Sequence, residues 1–230
     1  MSPRENGWQG AVARVARAAV AAGRDPATVR VLAVSKTFPP EAMRVVYAAG
    51  ARAFGENYVQ EALGKMDALR DLVDVAWHLI GPLQSNKTRV VAERFDWVHT
   101  VDRLKIAERL AAARPPGRAP LQLCIQVNIS GEASKSGLGA DEAVALAHAV
   151  ATLPRVRLRG FMGIAEPTPA VDRQRAQFRV LRECLERAQA AGLAVDTLSM
   201  GMSGDLEAAV AEGATLVRVG SAIFGERPSP

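Results

Sequence analysis

The chain has 230 residues, 49 % of them hydrophobic and 23 % charged, with a formal net charge of +5. This composition fits a globular protein with a sizeable core and excludes a disordered or fibrous chain. No apolar run approaches the roughly 20 residues needed to cross a bilayer, and with aromatics at 5 % and the arginines scattered, no stripe for nucleic acid is present.

Two cysteines, Cys124 and Cys184, lack C-x-x-C spacing, so a reducing, cytoplasmic compartment is expected. His78, His99 and His148 show no metal-ligand spacing, and no metal is expected. Residues 8–22 predict a first helix, with Val12, Val15, Ala16 and Ala19 on one face and Arg14 and Arg17 off it. A packed helix explains that pattern better than a transit peptide.

Further along, short β-branched runs alternate with Ala-rich amphipathic segments. Strands are expected at Val29–Val34, Ala51–Phe54, Val75–Ile80, Trp97–Thr100, Leu121–Ile129, Val156–Met162, Val195–Ser199 and Thr215–Val219. Helices are expected between them at Pro40–Ala49, Asn57–Arg70, Ser85–Arg94, Arg103–Ala113, Ala140–Thr152, Val171–Ala191 and Gly204–Glu212. Asp102 and Ser203 sit at candidate N-caps, and Gly50, Gly192 and Gly213 follow helix ends. Strict alternation implies parallel strands, and eight units predict an α/β fold, a single closed (β/α)8 TIM barrel filling residues 1–230. An open doubly wound sheet would usually carry G-x-G-x-x-G after its first strand; this chain has Ser35-Lys36-Thr37-Phe38 there.

A barrel gathers its chemistry at the C-terminal ends of its strands. Lys36 follows the first strand, where partial desolvation lowers an amine's pKa and favours an imine. The loops after strands seven and eight commonly hold a phosphate; here they are Ser199-Met200-Gly201-Met202-Ser203 and Gly220-Ser221. A Schiff-base lysine and a phosphate cradle in one mouth suggest pyridoxal 5′-phosphate (PLP), whose aldehyde and phosphate lie apart on the ring. Arg218, facing the pyridine nitrogen, would leave it unprotonated and restrain carbanion chemistry.

Six blocks in order now carry a resemblance: Val34-Ser35-Lys36-Thr37, Gly55–Glu61, Trp77–Lys87, Val127-Asn128 with Glu132, Lys135 and Gly137, Ser199–Asp205, and Arg218–Gly225. Together they resemble the pyridoxal phosphate homeostasis protein family, relatives of the barrel domain of alanine racemase. The resemblance implies a fold-type III barrel with PLP as an internal aldimine on Lys36 and phosphate contacts at Ser199, Met200, Gly201, Met202, Ser203, Gly220 and Ser221. Asn57 and Arg218 are implied ring-side contacts. It also implies storage or delivery of the cofactor, without established catalytic turnover. Recipients would be apo forms of PLP-dependent enzymes, and the chain is expected to act as a monomer, without nucleic acid or membrane.

Two alternatives stay open. A PLP-dependent amino-acid racemase needs proton carriers on both faces of the carbanion; Lys36 serves one, with His78, Lys135 or Tyr58 as weak substitutes on the other. A Schiff-base aldolase or phosphosugar isomerase would need a partner acid such as Glu56 or Glu132. His78, Lys87 and Lys135 are expected at the rim of the mouth. The basic surplus is expected to attract a phosphorylated ligand, with the few lysines concentrated where it enters.

Overall fold

The computed structural model describes residues 2–131 and 136–225. Helix α1 (Pro3–Ala21) precedes eight strands: β1 (Arg30–Val34), β2 (Ala53–Glu56), β3 (Ala76–Leu79), β4 (Trp97–Val101), β5 (Leu121–Val127), β6 (Val156–Gly163), β7 (Thr197–Ser199) and β8 (Leu216–Val219). After them in turn come α2 (Pro40–Ala48), α3 (Val59–Ala68), α4 (Thr88–Arg94), α5 (Leu104–Ala113), α6 (Ala140–Ala151), α7 (Val171–Ala190), α8 (Leu206–Ala211) and α9 (Ser221–Phe224). The strands pair in sequence order, all parallel, and β1 closes the barrel on β8 from Arg30 opposite Leu216 to Ala33 opposite Val219.

All eight expected strands are present; the differences lie at element ends. α1 begins at Pro3, earlier than the expected residue 8, because Ser2 caps it: Glu5 N–H donates to Ser2 Oγ at 3.3 Å and the Glu5 carboxylate accepts from Ser2 N–H. Its buried face is Trp8, Ala11, Val15, Ala18 and Ala19, which leaves Val12 exposed. The helix after β8 is a single turn, and α1 packs over that part of the wall against α2, α8 and α9. Asp102 and Ser203 are not N-caps. Arg103 and Asp205 hold those positions without side-chain capping bonds; Asp102 pairs with Arg103 at 2.7 Å, and Asp205 Oδ1 accepts from Met202 N–H at 2.6 Å. Gly50, Gly192 and Gly213 do follow helix ends, each with positive φ.

Strand alternation divides the core in two. Phe54, Leu79, Val98, Leu123, Phe161 and Val217 join the large cluster between strands and helices. Their neighbours face the barrel axis, where Trp97, Cys124 and Met162 form a separate small cluster. His78 stacks on Trp97, with ring centroids 5.1 Å apart and 7° between planes, and lies 2.9 Å from His99. Burial, with Arg30 nearby, holds His78 near pKa 3; burial, then His78, Arg218 and Arg30, depresses His99. His78 is therefore in the barrel interior and not at the rim, because the last inward position of β3 lies below the mouth.

The turn after β1 is clamped from below. Ser35 Oγ donates to Glu56 Oε1 at 2.6 Å, and Lys65 Nζ donates to Ser35 O and Glu56 Oε1, both at 2.8 Å. Glu61 completes the set, 2.6 Å from Lys65 Nζ and accepting from Thr37 N–H at 2.6 Å. Thr37 adopts φ +70°, a conformation costly for a β-branched residue, and that bond supports it. Lys36 sits between the two clamped residues. Glu56 is fully buried, its second oxygen without a partner, and burial raises its pKa against the opposing pull of Lys65.

Two outcomes follow from these buried groups. Lys65→Met strands the Glu56 carboxylate and lowers urea-unfolding stability by about 3–5 kcal/mol, and adding Glu56→Gln recovers part of that loss. The depressed histidines bind protons only after unfolding. Stability is thus unaffected by them above the ordinary pKa of about 6.5 and falls as pH drops toward the folded values. Each contributes up to about 1.4 kcal/mol per pH unit, so a His78→Gln/His99→Gln chain unfolds in urea with a flatter profile between pH 6.5 and 4.

Candidate functional site

A cavity of about 290 Å³ opens at the C-terminal ends of the strands. Of the residues expected at the site, Lys36, Asn57, Met202, Ser203, Arg218, Gly220 and Ser221 line it together. Val34, Phe38, Ile80 and Ile164 supply apolar wall. A second cavity of about 330 Å³ adjoins it, sharing Asn57, Ile80 and Ile164 and adding Thr100, Gln126 and Asn128.

Each lining group is placed by a local cause. Lys36 projects from the clamped turn. Asn57 follows β2 in a bend before α3, and its carbonyl is approached by Gly81, where a Cβ would lie 2.1 Å from Asn57 O. Only glycine permits that contact. At the far loop Gly201 has φ +90°, and a Cβ there would meet Ala209 Cβ at 2.6 Å. Phe38 stacks on Phe224, centroids 5.0 Å apart, tying the loop after Lys36 to the turn after β8.

Arg218 is 4 % exposed. Nη1 donates to Ser199 O at 2.6 Å and Ser199 Oγ at 2.8 Å, and Nη2 donates to Gly163 O at 2.9 Å. Burial lowers its pKa to about 10, opposed by Asp205, so it stays cationic at neutral pH. Three of its five N–H groups are committed. Nε–H and one Nη2–H are left for whatever occupies the cavity. The hydroxyls of Ser203 and Ser221 lie 3.5 Å apart on the same lining.

Other expected residues fall elsewhere. Ser199 and Met200 are fully buried, and neither they nor Gly201 line the cavity; Ser199 sits beneath it as the partner of Arg218. Lys87 is half-buried in the turn Ser85–Lys87 before α4 and lines neither cavity. Lys135 and Glu132 lie outside the described residues. Glu56 is tied to Ser35 and Lys65 below the lysine turn and does not face the cavity, which removes it as the acid of an aldolase. Among the described lysines only Lys36 lines the cavity, and Lys65 is consumed in the clamp. Composition did not reveal Lys65, His99 or the apolar wall. The Glu61–Lys65 spacing of four on α3 was the readable signal for the clamp, and Ile80 and Ile164 are marked by their places just past β3 and β6.

Residues 11–228 match the family model described as alanine racemase, N-terminal domain. A curated relative from Pseudomonas aeruginosa, named pyridoxal phosphate homeostasis protein, is 61 % identical over 215 residues, covering 94 % of this chain and 92 % of its own. The relative of that name from Escherichia coli is 51 % identical over 221 residues, covering 93 % and 92 %. Among solved structures, PipY of Synechococcus elongatus with PLP bound is 41 % identical, with a TM-score of 0.81 over 92 % of this chain and all of that one. Alanine racemase from Bacillus anthracis shares the fold at 18 % identity and a TM-score of 0.70, over 98 % of this chain and 57 % of that one. Fold, cavity and relatives agree, and the chain belongs to the pyridoxal phosphate homeostasis protein family, built on the barrel of the alanine racemase N-terminal domain.

Proposed function

We propose that the chain binds PLP as cargo, holds it covalently as a Schiff base on Lys36, and stores or delivers it in the cytoplasm without catalytic turnover. One observation carries this reading: a single cavity is lined by a primary amine, a buried guanidinium with uncommitted N–H groups, and two serine hydroxyls beside glycines. These match the aldehyde, ring nitrogen and phosphate of PLP. Ser203, Ser221, Gly204 and Gly220 line the side that would take the phosphate, and Asn57 would lie beside the ring. The solved structure of PipY with PLP bound and the names of the curated relatives support the same ligand.

The lining also bears on turnover. Arg218 stays charged and only donates, so a pyridine nitrogen facing it stays unprotonated and the ring is a weak electron sink. Racemisation needs a second base. Among the described residues lining the two cavities, only Lys36 and Arg218 are ionisable. Tyr58 is 58 % exposed and lines neither cavity, and Tyr47 bonds Asp74 at 2.5 Å on the outer surface. Two free, buried thiols, Cys124 and Cys184, support a reducing compartment. No helix among the described residues is long and apolar enough to cross a membrane. We read the chain as a monomer that passes its cargo to apo-enzymes.

Incubation with PLP, borohydride reduction and peptide mapping is expected to place the adduct on Lys36 and to find none in Lys36→Ala. Exchange of alanine Cα hydrogen by the loaded protein would overturn the carrier reading. A Ser203→Ala/Ser221→Ala chain still forms the adduct but binds PLP at least tenfold more weakly by absorbance titration, since each hydrogen bond to a charged group contributes about 1.5–3 kcal/mol. Unchanged affinity would remove the phosphate assignment.

A further inference from the structure

We propose that His99 and His78 are positioning residues for Arg218, forming with Ser199 a one-directional hydrogen-bond chain across the barrel interior that fixes the guanidinium beneath the cavity. Direction follows from chemistry. Arginine has no acceptor, so Arg218 can only donate to Ser199 Oγ, at 2.8 Å. A hydroxyl can accept twice, but among the described residues the buried Ser199 hydroxyl hydrogen has no acceptor other than His99 Nδ1, 2.8 Å away, and is assigned to it. His99 then carries its proton on Nε2 and donates to His78 Nδ1 at 2.9 Å. Both rings are therefore neutral Nε2–H tautomers.

The surroundings keep them so. His78 and His99 are 2 % and 0 % exposed. The charged groups acting on them are Arg30 of β1 and Arg218 of β8, both cationic. Arg30 lies over the Trp97 ring of β4 on which His78 stacks, as does Arg159 of β6. Cys124 of β5, its pKa raised by burial to about 12, is a neutral thiol, and Asp205 acts on Arg218 from beyond β7. A protonated imidazole would add a further cation with no anion among the described groups acting on it, and would make His99 Nδ1 a donor, leaving the Ser199 hydroxyl hydrogen without its acceptor.

A lone Ser199 hydroxyl could rotate; with His99 as acceptor its lone pair stays turned to Arg218. The Nε–H and spare Nη2–H of Arg218 then keep one direction. The functional consequence rests on the reading of the cavity as a PLP site, whereas the chain itself does not.

Two measurements separate these. In the ligand-free full chain, 15N histidine NMR is expected to show two Nε2–H imidazoles unchanged from pH 5.5 to 8. Titration of either ring in that range, or an Nδ1–H tautomer at His99, would overturn the chain. In the loaded protein, His99→Phe is expected to speed PLP dissociation about tenfold and to shift the absorption band of the bound cofactor. His99→Gln, which restores an acceptor, should recover much of both. Ser199→Ala should match His99→Phe, and the double variant should be no worse than either, as expected for members of one chain. A native off-rate and band in His99→Phe, with only a lowered melting temperature, would reduce the histidines to packing and refute the proposal. Should the variants not fold, the NMR result on the native chain decides. Failure of the native chain to bind PLP would refute the proposed function instead.

Discussion

Everything at the site depends on the pairing of β1 with β8. The hydrogen bonds that close the barrel bring the chain's first strand against its last, Ala33 opposite Val219. Lys36 thereby reaches the same cavity as Gly220 and Ser221. Without that closure the amine and the hydroxyl-glycine loop would sit at opposite edges of an open sheet. Phe38 stacked on Phe224 adds an apolar contact across the same seam.

Two buried polar systems then hold the reactive groups from behind, and they differ in kind. Below Lys36 the support is ionic: Lys65 lies among Glu56, Glu61 and the Ser35 carbonyl, all anionic or acceptor groups. Below Arg218 it is neutral, a serine and two imidazoles that accept in turn. Each suits the group above it. A turn holding a residue at φ +70° needs strong anchors on both flanks, whereas a carboxylate beneath Arg218 would compete for the N–H groups left to the cavity.

The basic surplus takes on a different meaning in three dimensions. Many arginines are spent on outer ion pairs, among them Arg14–Glu207, Arg44–Asp71, Arg159–Asp196 and the group Arg175, Arg179 and Arg182 around the buried Glu212. These pairs tie helices and loops to one another. What the cavity itself offers an anionic ligand, among the described residues, is one amine, one guanidinium and neutral donors.

The linear sequence determined the barrel, because eight strand-helix alternations of the right lengths admit few closed arrangements and each strand's end marks the mouth. It likewise pointed to Lys36, Asn57, Ser203, Gly220 and Ser221 as lining the mouth, since position past a strand is a local property, and to Arg218 near the end of β8. Depth and partnership were left to the tertiary structure. His78 reads as a rim residue until β3 is seen to end below the mouth, and Glu56 reads as a free acid until α3 delivers Lys65 to it. Ser199 belongs to the expected phosphate loop by position, but alternation along β7 turns it toward the axis and under Arg218. Such contacts join residues from different strands, as His99 and Ser199 do across 100 positions, and no local pattern encodes a distance that only barrel closure creates.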